Sequence, residues 1–91
     1  MRPRINKFGK TSYRDIHAYL TDNQVYGFIA YQKDNSIVYS YNMMFRSNKE
    51  KPEILFIEVS KTSKLIITAW TNKNVKFANV DELKKYTKKT W

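Results

Sequence analysis

The chain has 91 residues, a formal net charge of +9, 42% hydrophobic residues and no cysteine. This length corresponds to one domain, and the lack of cysteine excludes disulfides and thiolate metal sites. No apolar run approaches the roughly 20 residues that cross a bilayer, and the basic N-terminus does not resemble a signal peptide. We therefore expect a cytoplasmic protein with no membrane partner. Lys, Asn, Ile and Tyr, which AT-rich codons encode, are abundant, and this favours a low-GC bacterium or its phage as the source.

The N-terminal segment, residues 1–10, contains Pro3 and Gly9 and shows no hydrophobic periodicity. This pattern predicts a basic extended arm, followed by a single α+β domain over residues 11–91. Ile5 and Phe8 are the side chains that could hold the arm against the domain.

A helix is predicted over residues 12–21. Ser12 can cap it, and Asp15 follows at the spacing of a capping box. Ile16 and Leu20 lie one turn apart and form part of an apolar stripe that would face the core.

The hydrophobic period then changes to two, which predicts strands. Residues 25–33 and 37–46 form the first two, joined by a turn at Asp34-Asn35, where both residue types tolerate positive φ. Residues 53–60 and 64–71 form the next two strands.

The chain closes with a short fifth strand candidate, Val75–Phe77, and a second helix. Asn79 can cap this helix, with Glu82 at the capping-box position, and it is predicted to run to about Lys89. The resulting fold class is α+β, with a four- or five-stranded antiparallel meander sheet flanked by an N-terminal and a C-terminal helix.

Clustered cations form the first part of the predicted binding site. Each Lys or Arg that neutralises a phosphate releases counterions, so a polyanion is the partner that such clusters suit. The predicted nucleic-acid-binding cations are Arg2, Arg4, Lys7, Lys10, Arg14, Arg46, Lys84, Lys85, Lys88 and Lys89. The alternative interpretation is a solubilising tail and a solvated helix face.

Aromatic residues form the second part. If the first two strands pair through the Asp34-Asn35 turn, five rings share one sheet face. They are Tyr26, Phe28, Tyr39, Tyr41 and Phe45. Exposed, such rings stack on bases, whereas buried rings form the core under the helices. Tyr26 and Tyr39 are predicted to bind nucleic acid, and Tyr41 is predicted to belong to the core.

These features predict a small basic protein that binds RNA or single-stranded nucleic acid in preference to duplex DNA, without catalysis. No glycine-rich phosphate loop or metal-ligand pattern occurs, so neither a cofactor nor a metal is expected. An alternative is a phage-type inhibitor or accessory protein that docks on a host nucleoprotein complex, since Tyr, Trp, Arg and Met are enriched at interface cores. A third hypothesis is a small ribonuclease toxin, in which His17 acts with an Arg, a Tyr and a Glu such as Glu58.

Overall fold

The computed structural model describes residues 7–46 and 50–88. Its elements are α1 (Tyr13–Asp22), β1 (Tyr26–Gln32), β2 (Ser36–Asn42), a 3₁₀ turn (Met44–Arg46), β3 (Ile54–Ser60), β4 (Ile66–Thr71) and α2 (Val80–Thr87). The strands form one antiparallel sheet in the order β1-β2-β3-β4. Lys76 pairs with Trp70 in an isolated bridge, which reduces the predicted fifth strand to one residue pair. The predicted α+β meander with a helix near each end is confirmed.

Both helices begin at the predicted capping residues. The Ser12 hydroxyl accepts a hydrogen bond from the Asp15 amide at 3.2 Å, and the Asn79 side chain accepts one from the Glu82 amide at 3.0 Å. Each bond satisfies an amide that the first helical turn leaves without a backbone partner. α2 ends at Thr87, before the predicted end at Lys89. Neither helix in the described part of the chain is long and apolar enough to cross a membrane.

The two helices pack on the same face of the sheet. Ile16 of α1 and Leu83 of α2 belong to one buried cluster with Tyr41, Leu55 and Ile57. These sheet residues alternate along β2 and β3 with residues of the opposite face, where Val38 and Ser40 of the inner strand β2 are also buried. The sheet face on the helix side therefore carries the core, and we call the opposite one the helix-free face. No helix of the described residues lies on it.

Residues 7–10 form a turn in front of α1. Phe8 in this turn is 2% exposed and belongs to the same core cluster as the helices. Its carbonyl accepts a hydrogen bond from the Thr11 amide at 3.1 Å. Phe8 thus anchors this segment, while the predicted arm before residue 7 lies outside the described residues.

β2 ends earlier than predicted, at Asn42 rather than at residue 46. The Met43 amide still donates to the Glu53 carbonyl at 2.9 Å. The next position of the facing segment is Pro52, which has no amide hydrogen and cannot extend the ladder. The chain then turns, so Phe45 lies outside the strand and packs half-buried against the core.

The register of β1 and β2 corrects the prediction of a single aromatic face. The turn at Asp34-Asn35 forms as predicted, because the Lys33 amide donates to the Ser36 carbonyl at 2.8 Å. Between Gly27 and Ile29 the register shifts by a bulge, so Tyr26 pairs with Asn42. A one-residue shift moves a side chain to the other face. Tyr26 therefore lies on the helix-free face, away from Tyr39 and Tyr41.

Candidate nucleic-acid interface

The helix-free face carries the most exposed large hydrophobic side chains of the sheet. Tyr26 is 59% exposed, Ile29 55% and Tyr31 45%, and all three belong to the edge strand β1. Their cross-strand partners Asn42, Ser40 and Val38 alternate with the core residues of β2. Among the described strands β1 pairs only with β2, so its outer edge can present backbone groups to a ligand together with these side chains.

A second aromatic pair lies on the same face, nearer the far edge of the sheet. Phe56 of β3 and Trp70 of β4 are cross-strand partners, and their rings stack with centroids 5.7 Å apart at 22°. Both are half-buried. Lys76 pairs with Trp70 beyond β4 and is exposed, so a cation flanks this pair.

Lys76 also connects the helix-free face to the cations of α2. Lys76 and Lys85 line one depression of about 340 Å³, together with Glu82 and Tyr86. A positively charged surface can therefore extend from α2, around the edge of the sheet at β4, to Trp70. Glu82 reduces the positive potential of the depression without reversing it, since one acid faces two lysines.

The remaining predicted cations lie on the helix side of the molecule. Lys7, Lys10, Arg14, Lys85 and Lys88 are exposed there. Lys84 is half-buried, with its ammonium 5.2 Å from the centre of the Tyr19 ring. Arg2, Arg4 and Lys89 lie outside the described residues, as does the side chain of Arg46. The structure thus separates most of the predicted cations from Tyr26.

Glu58 lies on the helix-free face, between Val38 of β2 and Thr68 of β4. Its carboxylate accepts a hydrogen bond from the Ser36 hydroxyl at 2.6 Å and lies 3.9 Å from the Lys33 ammonium. His17 belongs to α1, on the opposite side of the sheet. The suggested ribonuclease constellation of His17 with Glu58 is therefore not assembled.

His17 instead belongs to a cluster of hydroxyl groups that the sequence analysis missed. The hydroxyls of Tyr13 and Tyr41 are 2.5 Å apart. The Nδ1 atom of His17 lies 3.0 Å from the Tyr41 hydroxyl and 3.4 Å from the Tyr13 hydroxyl. Only the spacing of four residues between Tyr13 and His17 on one helix face was visible in the sequence.

Burial keeps the two tyrosines of this cluster neutral. It raises the pKa of Tyr41 far above its ordinary range, and the hydrogen bond between Tyr41 and Tyr13 adds to the increase. Burial also raises the pKa of Tyr13, although the same hydrogen bond opposes this shift. Both phenols are protonated at neutral pH, as ordinary tyrosines are, and the raised pKa values extend this into alkali, so both can donate hydrogen bonds.

A groove opens beside this cluster, between α1 and the edge strand. Its wall includes Tyr39, whose ring stacks on Tyr13 with centroids 4.0 Å apart at 13°. Its floor is formed by Gly27 and Ala30, two small residues of β1. A Cβ atom at Gly27 would come within 3.0 Å of the Tyr41 ring, so only glycine leaves that ring in place. The groove has a volume of about 280 Å³.

The raised pKa of Tyr41 predicts a loss of stability in alkali. Above pH ~10 an unfolded tyrosine ionises while the buried one stays protonated, so the unfolded state binds fewer protons and the free energy of unfolding falls. This contribution is complete below pH ~10 and disappears as pH rises. We expect Tyr41→Phe to reduce the decline by about 1.4 kcal/mol in total between about pH 9 and 11, measured by urea unfolding.

The control for this measurement is the same comparison at pH 7. Tyr41 is protonated there in both the folded and the unfolded states, so its raised pKa contributes nothing to the pH dependence of the unfolding free energy. Equal slopes for the wild type and Tyr41→Phe would show that the Tyr41 hydroxyl is not buried as described.

No group of three His, Cys, Asp or Glu side chains within residues 7–46 and 50–88 is placed to hold a metal ion. Comparison of the chain with models of protein families, with curated proteins and with solved structures gave no match.

Proposed function

We propose that the protein binds single-stranded nucleic acid, with RNA preferred over duplex DNA, and that it does so without catalysis. The observation that carries this proposal is the exposure of Tyr26 and Tyr31 on a sheet face that no described helix covers, in a chain with a net charge of +9. Bases of an unpaired strand would stack on these rings, and their phosphates would contact lysines at the sheet edges.

The sheet geometry favours unpaired bases. Stacking requires access to the flat face of a base, which a duplex keeps covered by its neighbours. A cation lies at each edge of the aromatic face. Lys76 lies beyond β4, and Lys33 lies just after β1, where the Glu58 carboxylate at 3.9 Å partly offsets its charge.

The proposal is tested by titrating a fluorescently labelled single-stranded RNA with the double variant Tyr26→Ala/Tyr31→Ala. Stacking on an aromatic side chain contributes about 1–3 kcal/mol per base, so we expect affinity to fall by about 5- to 150-fold per ring. The melting temperature should change little, because both rings are exposed.

The matched control is Tyr26→Phe/Tyr31→Phe, which keeps both rings and removes only the hydroxyls. It should bind RNA nearly as well as the wild type. A duplex DNA competitor should displace the RNA poorly. If the alanine variant binds RNA as tightly as the phenylalanine variant, the helix-free face is not the binding surface.

The second candidate is an inhibitor or accessory protein that docks on a host nucleoprotein complex. Ile29 and Met44 favour it, because these exposed aliphatic side chains fill protein pockets better than they stack on bases. The Tyr26/Tyr31 titration separates the two functions. Loss of RNA affinity supports the first candidate, and unchanged RNA affinity favours the second.

A further inference from the structure

We propose that the groove between α1 and β1 is a nucleobase site, which holds one unstacked base while Arg14 contacts its phosphate. The groove lies between α1 and β1, on the side of Tyr39 and Tyr41. Ile29 of β1 also lines it, whereas Tyr26 and Tyr31 do not. The inference rests on the proposed nucleic-acid binding only for the source of the base. A free mononucleotide would offer the same chemistry as a base of the bound strand.

The shape of the groove suits one small planar group. Its volume of about 280 Å³ lies just below the usual range of about 300–1,000 Å³ for ligand pockets, so it suits a ligand smaller than most. Gly27 and Ala30 are exposed and carry no side chain larger than a methyl group, and they pair with Tyr41 and Tyr39 of β2. A planar ring can therefore lie over β1 with one edge directed at the hydroxyl cluster.

The cluster has the hydrogen-bonding groups that the edge of a base requires. Suppose Tyr13 donates to Tyr41 and Tyr41 donates to Nδ1 of His17. The Nε2–H group of His17 is then a free donor, and the Tyr13 oxygen is a free acceptor. If the neutral imidazole carries its proton on Nδ1 instead, Nδ1–H donates to Tyr41 and Tyr41 donates to Tyr13. The Tyr13 hydroxyl is then the free donor, and Nε2 of His17 is the free acceptor.

One donor and one acceptor remain in either tautomer. Nucleobase edges also present donors and acceptors side by side, so the cluster can pair with a base edge whichever of its two free groups is the donor. A purely apolar ring would leave both free groups without partners and would lose affinity.

Arg14 supplies the charge. It lies three residues before His17 in α1, so the two are neighbours on one flank of the helix. Arg14 is exposed, and the described structure shows no ion pair that neutralises it. A guanidinium in this position favours a nucleotide over an uncharged sugar or nucleoside.

The test uses ¹H–¹⁵N NMR titrations of the full chain with UMP, uridine and ribose 5-phosphate. UMP should shift the Ala30 and His17 signals saturably, with a dissociation constant on the order of 1 mM, as expected for a small ligand. Uridine should bind more weakly, and ribose 5-phosphate should not shift these signals. Arg14→Gln should remove the advantage of UMP over uridine.

Ala30→Leu fills the groove from its exposed floor and should abolish the UMP shifts without lowering the melting temperature. The matched control is Gln32→Leu, which lies two residues farther along the same face of β1 and does not line the groove. UMP shifts that persist in Ala30→Leu, or that ribose 5-phosphate reproduces, would overturn the inference.

The two proposals fail in different experiments. The Tyr26→Ala/Tyr31→Ala variant should keep the UMP shifts even where it loses RNA affinity. If an oligonucleotide binds the wild type but leaves the Ala30 signal unchanged, the groove binds free mononucleotides and not a base of the bound strand. If UMP binds and RNA does not, the groove is a nucleobase site and the proposed function is wrong.

Discussion

Replacing Tyr41 with alanine should lower the free energy of unfolding by about 3–5 kcal/mol, the range for a buried aromatic side chain cut to alanine. Tyr41 is fully buried, and its ring closes the core over Gly27. The substitution leaves a cavity and also removes the hydroxyl that bonds to Tyr13 and His17. A domain of this size has few kcal/mol to spare, so the variant should be largely unfolded near physiological temperature.

Tyr39→Ala is the matched comparison, because the residue lies two positions away on the same strand face. Its ring is half-buried and stacked on Tyr13, so we expect a loss of about 1–2 kcal/mol. It should also weaken UMP binding, since the ring forms a wall of the groove. Urea unfolding followed by circular dichroism gives both stabilities. Equal losses for the two variants would contradict the difference in burial.

The caps, the first turn and the order of the elements were predictable from the sequence because each depends on neighbouring residues. Ser12 and Asn79 cap their helices through contacts three residues away. The Asp34-Asn35 turn sets the pairing of the residues that adjoin it. Such local signals remain readable without knowledge of the rest of the chain.

The faces of β1 were not predictable, because the bulge depends on a contact between distant residues. The alternation of Tyr26, Phe28 and Ala30 reads as one continuous strand face. The structure inserts an extra residue after Gly27, beside the ring of Tyr41, and this moves Tyr26 to the helix-free face. A glycine inside a strand is a known sign of a bulge or a close approach, and it was the available signal.

The candidate site could be predicted in its residue types but not in its arrangement. The excess of lysine and arginine indicated a polyanion, and the tyrosines indicated stacking. The hydroxyl cluster joins Tyr13 and His17 to Tyr41, which lies 24 residues beyond His17. Lys76 and Lys85 come to line one depression because α2 packs beside the bridge between Lys76 and Trp70. The hydroxyl cluster and this pair of lysines therefore both depend on tertiary packing.

RNA affinity should fall steeply with salt. If the protein makes about five to eight phosphate contacts with a single strand, log affinity should decline linearly with log salt with a slope of about −3.5 to −6. Between about 50 and 200 mM salt this corresponds to a loss of about 100- to 4,000-fold. Fluorescence anisotropy at several salt concentrations measures the slope, and a slope near zero would exclude phosphate-led binding.

The same measurement locates the contacts. Lys76 and Lys85 border the depression that leads to Trp70, so each should contribute one phosphate contact. Lys76→Gln and Lys85→Gln should each reduce the slope by about 0.7, the value for one phosphate on a single strand. Lys73→Gln is the control, because this exposed lysine lies in the turn after β4 and does not line the depression. Equal changes in all three variants would mean that the net charge of the chain, rather than the edge beside Trp70, attracts the strand.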